Sequence, residues 1–441
     1  MKTMPEILAS KRDGKELLPE DFQFICNNIN EIPREQLGAL MMAIRINQLS
    51  EDETNSLTKA MIDSGTSFKQ AKGRVDKHST GGVGDKMSII LAPALAAAGA
   101  TVPMLAGRGL AHTGGTIDKL EAIPGFNTAL SFEEMKKNPC FISRQTDEIA
   151  PADRILYSIR DITATVAQIG LITASIISKK AAEGLEKLVL DVKCGRAAFM
   201  KTEFDARELA QMMVNTGSAL GIDVIAQITA MDTPIGTMFG NAHEITECIN
   251  CLKGGGSKDT MDLVYLQADA LGFDIRPNIN DGSALKEFNA MCVRQGVDQA
   301  VADQLCSDPW SVLKCANITT NIRANKGGYI THIDALILGE VLCILGAGRT
   351  GISSQIDHSV GAVLTKSIGS EISKGEPWLS MDTIAKPKPN LLKLLQNSIT
   401  ISDTKVEIKP RLIATIHPNL GSLLDGSPQI GMASRPRADL A

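Results

Sequence analysis

The sequence has no apolar run that approaches the eighteen or so residues needed to cross a membrane, and its first residues contain no apolar signal core. It also has no excess of basic residues, because 45 Lys and Arg stand against 50 Asp and Glu, for a net charge of −5. Nucleic acids and anionic membranes both favour basic surfaces, so neither is expected as a partner. These absences predict an ordinary soluble protein in the cytoplasm.

The cysteines do not suggest a disulfide framework. There are nine of them, an odd number, and they are scattered from Cys26 to Cys343, which fits reduced thiols in a large intracellular protein. Cys248 and Cys251 form a Cys-x-x-Cys pair, but no second pair lies at zinc spacing, and the run around them is amphipathic. We therefore expect no metal site, and we expect Cys248 to be a surface thiol on a helix.

Two nucleotide-binding patterns, Gly-x-x-x-x-Gly-Lys-Ser/Thr and Gly-x-Gly-x-x-Gly, are also missing. Instead, a glycine-rich turn runs from Lys77 to Ser88 (Lys-His-Ser-Thr-Gly-Gly-Val-Gly-Asp-Lys-Met-Ser) and leads into an apolar helix predicted over 89–98. Glycines let backbone N–H groups approach a ligand closely, and the helix directs its positive end to the same point. This stretch predicts a site for a small anion such as phosphate.

A second glycine-rich stretch follows about twenty residues later. It runs from Gly107 to Glu121 (Gly-Arg-Gly-Leu-Ala-His-Thr-Gly-Gly-Thr-Ile-Asp-Lys-Leu-Glu), after a short apolar run at 102–105 that predicts a strand. Glycine-rich turns between strands and helices are common in α/β domains. Two such turns with Lys, His, Ser and Thr interleaved favour a shared binding site.

The order of patterns along the chain predicts the architecture. Residues 1–66 read as helices only, with a capping box from Ser50 to Glu53, and short apolar strands then alternate with helices from Val75. A continuous helical pattern returns between Pro151 and Lys180, and strands are predicted again at 188–193 and 224–230. The fold class expected is α/β, with a discontinuous all-helical domain, a larger α/β domain with a mixed, mainly parallel sheet, and a β-rich C-terminal lobe. The predicted boundaries are 1–66 and 151–182 for the helical domain, 67–150 and 183–326 for the α/β domain, 327–425 for the lobe and 426–441 for a tail.

Both glycine-rich stretches resemble the signature loops of the thymidine phosphorylases and pyrimidine-nucleoside phosphorylases. The similarity extends from Leu8 to about Asp382. It implies phosphorolysis of thymidine by inorganic phosphate to a free pyrimidine base and 2-deoxy-α-D-ribose 1-phosphate, with deoxyuridine and uridine left open as further substrates. The resemblance implies no cofactor, and together with an apolar stripe in the first helices it suggests a homodimer. Thymidine preference and a broader pyrimidine-nucleoside specificity both stay open, because a few wall positions decide whether a 2′-hydroxyl fits.

The resemblance also implies the site residues, which would lie in the cleft between the two domains. The family's phosphate-binding positions fall on Lys77, Ser79, Ser88 and Thr116. Its base-binding positions fall on Tyr157, Arg160, Ser175 and Lys179, with wall positions at Leu110 and Ile172. The residues expected to be catalytic are Arg160 and Lys179, which would meet the negative charge growing on the departing base, and His78 as a proton donor to it.

Two positions depart from what the family shows. A serine that faces the phosphate immediately before Gly-Arg-Gly is Ala106 here, which removes one hydrogen bond worth about 1 kcal/mol. Relatives with a small hydroxyl residue after the Gly-Asp of the first loop hold a monovalent cation, whereas this chain has Lys86. A lysine ammonium could occupy the place of that cation, so no metal is expected to be required.

Two alternatives remain. An anthranilate-phosphoribosyltransferase-like activity would share the architecture, but it needs acidic residues for magnesium where these loops offer Lys, Ser and Thr. A catalytically silent homologue that binds or signals would be expected to have lost site residues, and here only Ala106 departs.

Overall fold

The structure, a computed structural model, describes residues 2–109, 112–349 and 355–418. Its helices are α1 (Met4–Arg12), α2 (Pro19–Asn27), α3 (Arg34–Asn47), α4 (Glu51–Asp63), α5 (Met87–Ala97), α6 (Thr116–Leu120), α7 (Phe132–Lys137), α8 (Pro151–Ile162), α9 (Ile169–Ala182), α10 (Glu203–Ala219), α11 (Asn241–Leu252), α12 (Lys258–Leu271), α13 (Arg276–Asn280), α14 (Ser283–Arg294), α15 (Gln299–Ser307), α16 (Ala335–Leu342) and α17 (Pro389–Gln396). Its strands are β1 (Val75–Ser79), β2 (Val102–Ala106), β3 (Cys140–Arg144), β4 (Lys187–Cys194), β5 (Asp223–Ala230), β6 (Met238–Phe239), β7 (Ile318–Arg323), β8 (Gly328–Ile333), β9 (Gly361–Leu364), β10 (Glu371–Ile372), β11 (Pro377–Thr383), β12 (Ile399–Ser402) and β13 (Leu412–Ile416). The predicted tail, 426–441, lies outside the described residues.

The first four helices follow one another without a strand and share one apolar core with α8 and α9. The predicted capping box is present at α4, where Ser50 Oγ accepts a hydrogen bond from Glu53 N, and the Glu53 carboxylate accepts one from Ser50 N. Leu40 of α3 and Leu171 of α9 belong to the same buried cluster. The discontinuous helical domain predicted from the sequence is therefore confirmed.

The helical segment predicted after Pro151 is present, but the sequence did not indicate where it breaks. It forms two helices, α8 and α9, separated by residues 163–168, where Ala164 adopts a left-handed backbone with φ of 54°. No Pro or Gly marks this break in the sequence. Arg160 stabilises it, because its guanidinium donates to the carbonyls of Val166 at 2.6 Å and Leu171 at 3.0 Å.

The main sheet has the strand order β1-β4-β5-β13, in which the first three strands are parallel and the last is antiparallel. The register places Lys77 beside Val189 and Ser79 beside Asp191. A second parallel pair, β2 and β3, adjoins β1 through the parallel bridge between Arg74 and Thr101. The two glycine-rich stretches therefore leave from the carboxyl ends of neighbouring strands, where α/β sheets bind their ligands.

The C-terminal part is rich in strands, as predicted, and forms the sheets β6-β9-β11-β7 and β10-β8-β12. The sequence pattern missed two helices within it, α16 and α17, and it did not indicate that β13 returns to the edge of the main sheet. One apolar cluster includes Ile89 of α5, Ile330 of β8 and Trp378 of β11, so the lobe and the α/β domain share a core. The domain boundaries given above stay predictions.

Candidate active site

The predicted site residues that the structure describes all line a single cleft of about 470 Å³ between the helical and α/β domains. One side, which we call the loop wall, consists of Lys77, Ser79, Ser88 and Thr116. The opposite side, which we call the helix wall, consists of Tyr157, Arg160, Ile172, Ser175 and Lys179. His78 also lines the cleft, whereas Leu110 lies outside the described residues.

The first glycine-rich turn has the conformation that only glycine tolerates. Gly81 and Gly84 have φ of 90° and 78°, in the left-handed region. A Cβ atom on Gly84 would lie 2.1 Å from the carbonyl oxygen of Ile235, so the backbone packs too closely for any side chain. This close packing lets the turn wrap around the end of β1 and bring Ser88, at the start of α5, to the same wall as Ser79.

The charge of Lys77 is already balanced by carboxylates. Its Nζ lies 3.4 Å from Asp85 Oδ1 and 3.9 Å from Asp191 Oδ2, and the lysine side chain is fully buried. Ser79 Oγ donates a hydrogen bond to the Asp85 carboxylate. Burial alone would raise the pKa of Asp85, but the charges of Lys77, Lys193 and Lys119 outweigh burial and hold it far below its usual range. Asp85 is therefore an anion at the loop wall, a role that the sequence analysis missed although the residue belongs to the quoted turn.

Lys119 joins the two glycine-rich turns. Its buried ammonium donates to the carbonyl of Asp85 at 2.6 Å and to that of Gly114 at 3.2 Å, and it pairs with Glu244 at 3.0 Å. In the second turn, a Cβ atom on Gly115 would lie 2.1 Å from the backbone nitrogen of Gly109. The turn therefore folds tightly on itself and places Thr116, the first residue of α6, on the loop wall.

The helix wall is built from positions that share one face of each helix. Asp153, Tyr157 and Arg160 lie at i, i+4 and i+7 of α8. Ile172, Ser175 and Lys179 lie at i, i+3 and i+7 of α9, so each set shares one face of its helix. Lys179 Nζ donates to Asp153 Oδ2 at 2.6 Å and to Ser175 Oγ at 3.0 Å. Asp153 is thus the counter-ion of Lys179. Its role was not among the sequence-based predictions, although its spacing of four residues from Tyr157 is a signal for it.

Arg160 differs from Lys179 in its partners. Two of its nitrogens donate to backbone carbonyls of the 163–172 segment, its Nε has no hydrogen-bond partner, and its Cζ lies 5.3 Å from the centre of the Tyr157 ring. Burial lowers the pKa of Arg160, and the nearby Asp153 opposes that shift. A guanidinium keeps its proton throughout the physiological range, so this residue adds a fixed positive charge to the helix wall.

His78 lies in a positive environment. Burial lowers the pKa of His78 well below its usual value, and the charges of Lys180, Lys179 and Lys77 lower it further. In the unliganded protein the imidazole is therefore neutral at pH 7. A neutral imidazole can donate a hydrogen bond but carries no extra proton to transfer.

The two positions that differ from the family pattern, Ala106 and Lys86, lie in different surroundings. Ala106, the last residue of β2, lines the cleft beside Gly107. Lys86 is buried away from it, and its Nζ donates to Glu247 at 2.7 Å and to the carbonyl of Ile235 at 3.1 Å. Burial opposes the charge of Lys86, but Glu247 and Glu244 outweigh it and raise the pKa, so the ammonium is held charged.

The expectation for Cys248 was wrong. This residue is fully buried in the core of the α/β domain, and its Sγ lies 3.8 Å from the carbonyl oxygen of Lys86. Burial raises the pKa of its thiol well above the usual value. The helix α11 that carries it is covered on nearly every face by the sheet domain and the lobe, which an amphipathic pattern alone could not indicate.

Comparison with known proteins agrees with this architecture. Residues 5–65 match the helical bundle domain of the glycosyl transferase family, residues 71–274 match the a/b domain of that family, and residues 329–402 match the pyrimidine nucleoside phosphorylase C-terminal domain. A solved structure of anthranilate phosphoribosyltransferase from Thermus thermophilus covers 68% of this chain and 98% of its own at 15% identity, with a TM-score of 0.48, too low to bear on function.

Full-length relatives are much more similar. Thymidine phosphorylase from Homo sapiens is 42% identical over 431 residues, which cover 91% of this chain and 89% of that protein. Pyrimidine-nucleoside phosphorylase from Staphylococcus epidermidis is 41% identical over 90% of this chain and 96% of its own length, and that from Geobacillus stearothermophilus is 40% identical over 93% and 98%. The domain matches, the identity over nearly the whole length and the two glycine-rich loops at one cleft together show that this chain belongs to the thymidine phosphorylase and pyrimidine-nucleoside phosphorylase family.

Proposed function

We propose that this protein cleaves thymidine, and pyrimidine nucleosides closely related to it, with inorganic phosphate, releasing the free base and a pentose 1-phosphate. The observation that carries this proposal is the single cleft in which the lysine and hydroxyl donors of the loop wall face the two cations of the helix wall. A phosphate on one side and a pyrimidine on the other would hold C1′ of the sugar between them.

The reaction requires little covalent chemistry from the protein. A phosphate oxygen attacks C1′, the bond from C1′ to the base nitrogen breaks, and the base takes the bonding electrons. Positioning and electrostatic stabilisation account for most of such an acceleration. Lys77, Ser79, Ser88 and Thr116 would hold the phosphate, and Arg160 and Lys179 would stabilise the anionic base.

His78 would act on the base mainly as a hydrogen-bond donor. Its lowered pKa makes the imidazole neutral before substrate binds, and a phosphate dianion beside it would raise that pKa. The neutral ring can still donate its N–H to a carbonyl oxygen of the departing base. The proton that the base finally accepts would then come from solvent as readily as from His78.

The activity is tested by phosphate-dependent release of free base from thymidine, deoxyuridine and uridine in parallel. We expect release from thymidine only when phosphate is present, with a pentose 1-phosphate formed in equal amount. Uridine turnover at a comparable rate would assign the broader specificity. No release from any of the three would contradict the proposal and favour a silent homologue.

We also propose that the reaction needs no added metal, because Lys86 supplies a buried positive charge beside the carbonyl of Ile235. Base release in buffers of sodium, potassium and tetramethylammonium at equal ionic strength should differ little. A strict requirement for potassium would contradict this assignment of Lys86.

A homodimer is proposed from an exposed apolar surface of the helical domain. On α3, Ile46 is 69% exposed and Met42 is 42% exposed, and Ile162 at the end of α8 is 67% exposed. Exposed side chains of this size are typical of an interface. Light scattering should give a mass near twice 47.0 kDa, and Ile46→Glu should shift it towards the monomer.

None of the described helices is long and apolar enough to span a membrane. A cytoplasmic location is proposed.

A further inference from the structure

Away from the cleft, one group of side chains in the described parts of the chain has the composition of a transition-metal site. His243 lies near the start of α11, Cys315 lies in the connection before β7, and Asp382 lies on β11. A ring nitrogen, the thiol sulfur and a carboxylate oxygen of these residues lie within 4.8 Å of one another. None of the three lines the cleft, so the proposed phosphorolysis does not account for them.

The imidazole and the carboxylate are held in place by their surroundings. His243 is fully buried, with its ring centre 4.9 Å from that of Trp310 in an edge-on arrangement. Its Nε2 lies 3.0 Å from Asp382 Oδ2, and the other oxygen of Asp382 accepts a hydrogen bond of 2.7 Å from Thr319 Oγ1. The Thr319 hydrogen bond is of the kind that orients a carboxylate ligand in protein metal sites, whereas His243 Nδ1 has no hydrogen-bond partner and its ring is held by packing alone.

Gly361 sets how closely the lobe approaches this group. It pairs with Asp382 in the sheet, and a Cβ atom on it would lie 2.1 Å from His243 Nδ1. The absence of a side chain therefore lets strand β9 pack directly on the buried imidazole. Because His243 cannot turn away from Asp382 without meeting this strand, its Nε2 stays directed at the carboxylate.

We propose that His243, Cys315 and Asp382 form a binding site for a zinc-type divalent ion that joins α11 to the C-terminal lobe. Imidazole nitrogen, thiolate sulfur and carboxylate oxygen are the donors that Zn²⁺ prefers, whereas Ca²⁺ and Mg²⁺ select oxygen ligands alone. On binding, the thiol releases its proton to solvent and His243 Nε2 donates its lone pair with the ring proton on Nδ1. Cys315 is exposed, so an ion can enter from solvent and a water molecule can complete a tetrahedron.

A catalytic cysteine is the main competing interpretation of these three residues, and the geometry does not favour it. A nucleophilic thiol needs a base beside it, with the carboxylate behind that base. Here both the thiol and the imidazole hydrogen-bond to Asp382, so the carboxylate is shared and does not stand behind the imidazole as that arrangement requires.

Co²⁺ is the probe that tests the site, because a thiolate bound to Co²⁺ produces a charge-transfer band in the near ultraviolet. The full chain, freed of metal with a chelator and kept reduced, is titrated with Co²⁺ and then with Zn²⁺. We expect one equivalent of Co²⁺ to produce the band, Zn²⁺ to abolish it, and Zn²⁺ to raise the melting temperature. The rate of base release should stay the same.

Matched cysteine variants make the result specific. Cys315→Ser should lose the band and at least tenfold in Zn²⁺ affinity, whereas Cys306→Ser, which changes a half-buried thiol outside the group, should keep both. Asp382→Asn should keep the band but weaken Zn²⁺ binding. Absence of the band in the unaltered chain, or a band of equal strength in Cys315→Ser, would overturn the proposal.

Discussion

At the loop wall of the cleft, Asp85 is stabilised as an anion by Lys77 and by two further buried lysines that do not line the cleft, Lys119 and Lys193. On the helix wall, Lys179 has a single counter-ion and Arg160 donates to backbone carbonyls. The charges of the loop wall largely neutralise one another and hold two glycine-rich turns together. Those of the helix wall leave a net positive field that faces the cleft. We infer that the first wall contributes mainly to stability and phosphate placement, and the second mainly to stabilising the departing base.

Asp85→Asn, on the loop wall, should cause the largest loss of folding stability. It would remove the carboxylate whose charge Lys77, Lys119 and Lys193 share, and Asp191 and Glu244 would then face three buried ammonium groups. Removing one partner of a buried charge network costs about 3 to 5 kcal/mol. Denaturant unfolding should show a loss of that size. Asp153→Asn is the matched change on the helix wall and should cost less, about 1.5 to 3 kcal/mol, because Lys179 keeps its Ser175 contacts. Equal losses would contradict the division between the walls.

Arg160→Ala and Lys179→Ala should each lower kcat by about 10²- to 10³-fold, since a preorganised donor to a developing anion contributes about 3 to 4 kcal/mol. The measurement is steady-state base release from thymidine at saturating phosphate. Lys258→Ala, which removes an exposed lysine paired only with Asp262, is the control and should keep the full rate. Unchanged rates in either helix-wall variant would refute the assignment of that residue.

His78→Ala should lower kcat/KM for thymidine by about 10- to 100-fold, because a hydrogen bond to a charged group contributes about 1.5 to 3 kcal/mol. His78→Gln keeps a neutral donor and should recover part of the loss. Because the pKa of His78 is lowered, protonating it should not limit kcat/KM between pH 6.5 and 8. The opposite result would be a kcat/KM that rises tenfold for each unit of pH decrease in that interval, and only when His78 is present. It would indicate that a protonated His78 acts as a general acid.

The same shift has a consequence for stability. The folded protein binds the His78 proton less readily than the unfolded chain, so the unfolded state takes up a proton first as the pH falls below about 6.5. Stability should therefore decrease with falling pH until the folded pKa is reached. His78→Gln should make the melting temperature less sensitive to pH in this interval, and an unaltered sensitivity would contradict the assigned direction.

Ala106→Ser should have the smallest effect, a decrease in KM for phosphate of a few-fold up to about tenfold. Ala106 lines the cleft at the end of β2, so a hydroxyl there can donate to the anion, and the gain is less if an ordered water already does so. Initial rates against phosphate at saturating thymidine measure it. An unchanged or raised KM would mean that the side chain at 106 does not face the phosphate.

Local residue patterns were sufficient to predict much of this protein. The capping box at Ser50, the two glycine-rich turns and the change from helices to alternating strands each depend on neighbours within a few residues, so the fold class followed from the sequence. The candidate site residues were proposed from the resemblance and stay predictions, and the structure brings every one that it describes to one cleft.

The partners of those residues could not be predicted in this way. Asp153 meets Lys179 across 26 positions and Lys86 meets Glu247 across 161, and the break at Ala164 depends on an arginine whose side chain turns back onto the backbone. The same holds for the burial of Cys248 and for His243, Cys315 and Asp382, which the packing of the lobe brings together. The sequence by itself determined the order of helical and strand-rich segments and the glycine turns, because these rest on local backbone preferences. Only the tertiary structure decided which charges neutralise each other, because burial and long-range packing set the partners and the pKa of each group.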